Sequence, residues 1–307
     1  AAFASDVAAA VAGLPPGTAI AFDPTTRTLT FGAGAPQDFT FALPTLGDAI
    51  VENIEAFAVT LSNPSIGRII ETLGGIVTRI VDDEPPPDVT IGNAQASEGQ
   101  PLVFDVALSN PSAGPIVLEL AAANGSALGG ADFETIGFEY SSDGGVTWTP
   151  AGGLNGRDVS FAAGATALKV RVDTVDDVVA EGTETMSLAV GAVVSGTVGD
   201  TGSVGTGTIL DNDAAPRVTI GDAQANEGQP LVFDVTLSNP SAGPIVLELA
   251  AANGTALGGA DFETIGFEYS SDGGVTWTPA GGLNGRDVSF AAGATALKVR
   301  VDTVDDA

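Results

Sequence analysis

The chain has no cysteine and no histidine. Disulfides, thiolate nucleophiles, zinc fingers and imidazole bases are therefore excluded, and stability must come from packed cores or from hard cations. Basic residues are scarce. Lys+Arg number 10 against 39 Asp+Glu, a net charge of −29 over 307 residues. Such a charge repels a phosphate backbone and an anionic membrane surface, so neither nucleic acid nor membrane insertion is expected. Long apolar runs are missing too. The longest near the start, Val7 to Leu14, is too short to span a bilayer, and it follows Asp6 rather than a basic segment, unlike a signal peptide. Any export signal is expected outside this sequence.

Hydrophobic residues make up 44% of the chain, enough for packed cores rather than disorder. With 41 Gly and 18 Pro, many turns and few helices are expected. The chain also repeats itself. Glu98 recurs as Glu227 (227 − 98 = 129), and Asp132 recurs as Asp261 at the same interval. Backwards, Glu181 matches Glu52 and Asp211 matches Asp82. This register divides the chain into residues 1–84, the back of a divergent unit, 85–213, a complete unit, and 214–307, the front of a third. The junctions Asp82-Asp83-Glu84-Pro85-Pro86-Pro87 and Asp211-Asn212-Asp213-Ala214-Ala215-Pro216 are too short and too proline-rich for flexible linkers. A piece of a longer array is the expected setting.

Within the complete unit the hydrophobic period is two. Leu102, Phe104, Val106 and Leu108 share one strand face, as do Leu168, Val170 and Val172. Tyr140 and Trp148 flank Asp143-Gly144-Gly145, which reads as a hairpin. No window of a dozen residues carries a helical stripe. The expected fold is all-β, a tandem of immunoglobulin-like antiparallel sandwiches, one complete and two partial.

The densest carboxylates lie in Asp176-Asp177-Val178-Val179-Ala180-Glu181-Gly182-Thr183-Glu184, directly after the Leu168–Val172 strand. If the strands alternate in direction, this loop lands at the same end of the sandwich as Glu98, Asp132, Asp211 and Asp213, while the opposite end is nearly neutral. Carboxylate oxygens gathered from several loops, without His or Cys, suit a hard cation. Calcium accepts six to eight oxygens in flexible geometry, whereas magnesium demands a tighter octahedron. A solvated acidic rim, or the surface of a salt-adapted protein, would explain the same residues.

The ordered set Ser97-Glu98-Gly99, Gly129-Gly130-Ala131-Asp132-Phe133, Ala163-Gly164, Val175-Asp176-Asp177, Glu181-x-x-Glu184 and Ile209-Leu210-Asp211-Asn212-Asp213 resembles the Calx-beta domain. The resemblance covers the 85–213 unit and extends into both partial copies. It implies a seven-stranded sandwich that binds Ca2+ at one end, as in sodium–calcium exchangers and in tandem arrays of secreted bacterial adhesins. Carried over, the calcium ligands fall on Glu98, Asp132, Asp176, Asp177, Glu181, Asp211 and Asp213. Glu184 reads as a strand start rather than a ligand. The first copy retains Asp48, Glu52, Asp82 and Asp83, with Gly47 in place of its first loop aspartate. The third has Glu227, Asp261, Asp305 and Asp306 and lacks its remaining ligands, so its site is expected to stay empty.

Other motifs carry less. Gly202, Gly205 and Gly207 are followed by no helix and read as strand glycines rather than a phosphate loop. Paired carboxylates could serve a glycosidase, but with 6% aromatic residues there is little to build a sugar platform, and no enzyme activity is expected. The expected function is that of a secreted, calcium-binding structural repeat, a rigid spacer in an adhesin or surface array. A filament of chains completing each other's sandwiches head to tail, and a regulatory calcium sensor, are the alternatives. The partners expected are neighbouring repeats of the same chain or, in the filament, identical chains.

Overall fold

A computed structural model describes residues 2–66 and 78–305. The chain forms two compact units, Ala1–Glu84 and Pro85–Ala307. No described helix is long and apolar enough to cross a membrane.

The first unit opens with a helix, α1 (Ala2–Ala12), followed by β1 (Ile20–Asp23), β2 (Thr28–Phe31), β3 (Glu55–Phe57) and β4 (Thr78–Ile80). The helix is the one helical element among the described residues, in keeping with an all-β chain expected to hold few helices. Its sequence has no broad apolar stripe, but alanine, the strongest helix former, fills more than half of its positions, and it stops at Gly13. Val7 anchors it, 3% exposed. Phe3 meets the edge of Phe41, which stacks on Phe39. β1 pairs with β2, and β3 with β4, both antiparallel.

The second unit begins with a complete sandwich. Its strands are β5 (Val89–Ile91), β6 (Ala94–Ser97), β7 (Leu102–Leu108), β8 (Ile116–Asn124), β9 (Glu139–Ser141), β10 (Thr149–Pro150), β11 (Asp158–Phe161), β12 (Ala167–Val172), β13 (Glu184–Ser195) and β14 (Val204–Leu210). They make two five-stranded sheets, ordered β10-β9-β12-β7-β5 and β11-β8-β13-β14-β6. Ten strands stand where the resemblance implied seven, because the short β9–β10 hairpin and the split of the first strand into β5 and β6 add to the frame.

Alternation decides which side chains face inward. In β7 the residues Leu102, Phe104 and Val106 are fully buried, while Val103 and Asp105 between them face solvent. Opposite them lie Ile116, Leu118 and Leu120 of β8 and Met186 and Leu188 of β13, all at most 1% exposed. Each fully buried aliphatic or aromatic side chain contributes about 1.5–3 kcal/mol. Gly205 and Gly207 of β14 admit this packing: a Cβ on Gly205 would lie 2.3 Å from the Gly92 carbonyl oxygen, and one on Gly207 2.7 Å from Leu102 and Met186.

Among the described strands all pairs are antiparallel except β14 with β6, which run parallel from Gly207↔Ala94 to Leu210↔Ser97. Consequently β6, β8, β12 and β14 all finish at one end of the sandwich, where Glu98, the Asp132 turn, the Asp176–Glu184 loop and the Asp211–Asp213 junction follow them.

The remainder of this unit repeats the first sheet. Strands β15 (Val218–Ile220), β16 (Leu231–Leu237), β17 (Ile245–Glu248), β18 (Glu268–Ser270), β19 (Thr278–Pro279), β20 (Asp287–Phe290) and β21 (Ala296–Val301) form a β15-β16-β21-β18-β19 sheet and a β17–β20 pair. Among the described residues after Asp213, no strand is a counterpart of β13 or β14. Leu231 and Phe233 are correspondingly only half-buried, where their equivalents Leu102 and Phe104 are sealed.

Candidate metal centre

Backbone hydrogen bonds bring the acidic segments together. The Leu128–Asp132 turn presents Asp132, whose Oδ2 accepts from the Leu128 N–H at 2.6 Å. This turn is tied to the head of β13, since Ala127 N donates to Thr185 O at 2.9 Å and Thr185 N to Ser126 Oγ at 2.9 Å. Val175 N donates to the Asp132 carbonyl at 3.0 Å, so the turn also grips the start of the acidic loop. Inside that loop Asp177 Oδ1 accepts from Val179 N at 2.7 Å. Asp211 fastens the loop to the junction, accepting from Glu181 N through Oδ2 at 2.8 Å and from Asp213 N through Oδ1 at 2.9 Å.

Two carboxylate triads result, Glu98–Asp177–Asp213 and Asp132–Glu181–Glu184, each with one oxygen per residue lying within 4.8 Å of the others. The structure thus gathers Glu98, Asp132, Asp177, Glu181 and Asp213 into the two groups. Asp176 and Asp211 lie beside them in neither triad. Glu184, set aside as a strand start, is both the first residue of β13 and a member of the second triad. Its signal in the sequence is the i+3 spacing of the Glu181-x-x-Glu184 motif, whose second member reads as a strand start.

The charges are poorly compensated. Burial pushes the Glu98 carboxyl up to about 7, against the Asn212 N–H, and a hydrogen bond to Asp213 and the charges of Asp211 and Asp213 add to the rise. Burial likewise pushes Glu184 up to about 7, helped by a hydrogen bond to Asp132 and by the charges of Asp132, Glu181 and Glu98. Glu181 is raised by burial and then by the charges of Asp132, Asp177, Asp211 and Asp213. Among the described residues the ion pairs are Lys169–Asp105, Arg171–Glu139, Lys298–Asp234 and Arg300–Glu268, and none involves these acids. Asp213 Oδ2 is sealed from solvent without a hydrogen-bond partner. An all-oxygen donor set with a buried glutamate and an orphaned carboxylate oxygen fits a hard divalent cation.

The partial copies differ. In the first, Asp48 Oδ1 accepts from Ile50 N at 2.8 Å and Asp82 Oδ2 from Glu52 N at 3.0 Å, the same two bonds that shape the loop of the complete copy. Loss of solvent and the charges of Glu55, Asp48 and Asp82 raise Glu52. Yet among the described residues Asp48, Glu52, Asp82 and Asp83 do not assemble into such a triad, nor do Glu227, Asp261 and Asp305. Asp306 lies outside the described residues.

Residues 17–84 and 141–213 match the Calx-beta domain. The two matched stretches end at Glu84 and Asp213, and each contains its copy's acidic loop and junction. No curated protein matches the chain. Among solved structures, the apo-form Calx CBD1 domain is similar at 18% identity and a TM-score of 0.32, over 42% of this chain and 100% of that one. The calcium binding domain CBD12 of CALX1.1 is similar at 16% identity and a TM-score of 0.32, over 71% of this chain and 76% of that one. CBD12 from CALX1.2 gives the same values.

Proposed function

We propose that this chain is a calcium-binding structural segment of an extracellular surface protein, in which the cation stiffens the joint between successive repeats. The observation that carries this reading is the position of Ala180. It lies in the acidic loop between Asp177 and Glu181 and forms a parallel β-bridge with Ser241 of the following repeat. Its N–H donates to Pro240 O at 3.0 Å, and its carbonyl accepts from Ala242 N at 3.1 Å. From the same turn Asn239 Nδ2 donates to Ala214 O at 2.9 Å, directly after Asp213. One turn of the third repeat therefore holds both the loop and the junction that carry the triads.

When bound, the cation supplies positive charge to oxygens that otherwise repel one another. Glu98, Asp177 and Asp213 would hold one ion, and Asp132, Glu181 and Glu184 another. Fixing them fixes Ala180, and with it the bridge to the next repeat. Extracellular modules bind calcium at roughly 10⁻⁴–10⁻³ M, so at about millimolar calcium each site adds on the order of 1 kcal/mol. Calcium titration calorimetry, with small-angle scattering in calcium and in chelator, tests the reading. Heat with a sub-millimolar to millimolar dissociation constant and a change of scattering profile are expected. An unchanged profile overturns the stiffening role, and affinity near 10⁻⁷–10⁻⁵ M would instead mark a sensor.

A further inference from the structure

Asn212 stands between two junction aspartates, and its amide is engaged. Nδ2 donates to the Glu98 carbonyl at 3.1 Å and to Asp176 Oδ1 at 3.2 Å, while the backbone N–H donates to Glu98 Oε1 at 3.3 Å. Asp176 is wedged on its other side against Gly99, whose φ is +72° and where a Cβ would lie 2.9 Å from the Asp176 Cβ. Of the four carboxylates in the acidic loop, only Asp176 belongs to neither triad.

The repeat supplies an internal comparison. Asn212 is equivalent to Asp83 (212 − 129 = 83), and Asp176 to Gly47 (176 − 129 = 47). The first copy has an acid at the junction and none at the loop position. The complete copy has an acid on the loop and an amide at the junction. Each copy thus places a single carboxylate in this pair. A neutral amide donor satisfies a carboxylate without adding charge, whereas a second carboxylate at this distance would repel the first unless a cation bridged them.

We propose that the Asn212 amide sets the number of cations the complete repeat takes up, holding Asp176 with a neutral donor where a second carboxylate would recruit a further ion. The proposal rests on the calcium reading above. Calcium calorimetry and thermal melting in chelator, on the full chain, compare the parent with Asn212→Asp and with the double variant Asn212→Asp/Asp176→Asn. Asn212→Asp is expected to bind one more calcium per chain, to melt lower in chelator and to gain more from calcium. The double variant, again with one carboxylate in the pair, is expected to return to the parent's stoichiometry and melting. Equal stoichiometry for Asn212→Asp and a calcium-binding parent overturns the proposal. A parent that takes up no calcium overturns the calcium reading itself, and the melting series in chelator then shows on its own whether the amide holds Asp176: no drop for Asn212→Asp would exclude it.

Discussion

If the site takes up calcium as proposed, Glu98 and Asp213 oppose the fold of the empty protein and serve the loaded one. Asp213→Asn removes charge from an oxygen that has no partner, so in chelator it is expected to raise stability by about 1–3 kcal/mol while shrinking the calcium-induced shift in melting temperature. Opposite signs in the two conditions distinguish a ligand from a structural acid. The pH dependence follows from Glu98 and Glu184. Both carboxyls rise from 4.5 to about 7 in the fold, so the neutral forms are favoured there. Their contribution to the stability of the calcium-free protein is therefore fully present below about 4.5 and is lost as pH rises through about 7. Because ligands must be deprotonated, apparent calcium affinity is expected to climb over the same interval. Melting and calorimetry at a series of pH values check both. At this scale the sequence told which side chains could meet but not their roles. Asp211 looked like a plain ligand candidate, whereas its carboxylate accepts two backbone N–H groups that shape the loop. That division of labour depends on fractions of a turn in loops without periodicity.

Strands were more legible than loops, because alternation of polar and apolar residues is a direct consequence of the pleat. Leu102 to Leu108 and Leu168 to Val172 could be read without structure, and so could the hairpin at Asp143. Its Asp143 carboxylate accepts from Val146 N, Thr147 N and Thr147 Oγ1, and these bonds hold it well below the usual carboxylate range. Helix α1 was not legible from periodicity, since its eleven residues form a helix through the propensity of alanine rather than an amphipathic pattern. Two substitutions probe the elements. Gly205→Ala drives a methyl into the Gly92 carbonyl oxygen, which is backbone and cannot swing away; a loss of about 1–3 kcal/mol in chemical denaturation is expected. Trp148→Ala removes the ring over which the Arg171 guanidinium lies, 4.7 Å from its centroid, and a loss of about 0.5–1 kcal/mol is expected.

Across the whole molecule, the acidic loop serves two masters, the triads and the following repeat. Ala180→Pro removes the N–H that reaches Pro240 without touching a carboxylate. Calcium uptake by the variant is expected to match the parent, while its scattering in calcium should resemble that of the parent in chelator. Retained stiffening would move the joint elsewhere. The parallel contact of β6 with β14 has a consequence of another kind. Tension applied along the chain would enter the complete sandwich at Pro85, reach the leading end of β6 through β5 and its pairing with β7, and leave at the trailing end of β14 before Asp213, loading β6 and β14 in opposite directions. With the two strands parallel, their hydrogen bonds and the Glu98 N–H to Leu210 O bond at 3.0 Å are loaded in shear and must break together rather than unzip one at a time. Under such a load the strand pairing that closes the sandwich would act as a mechanical clamp.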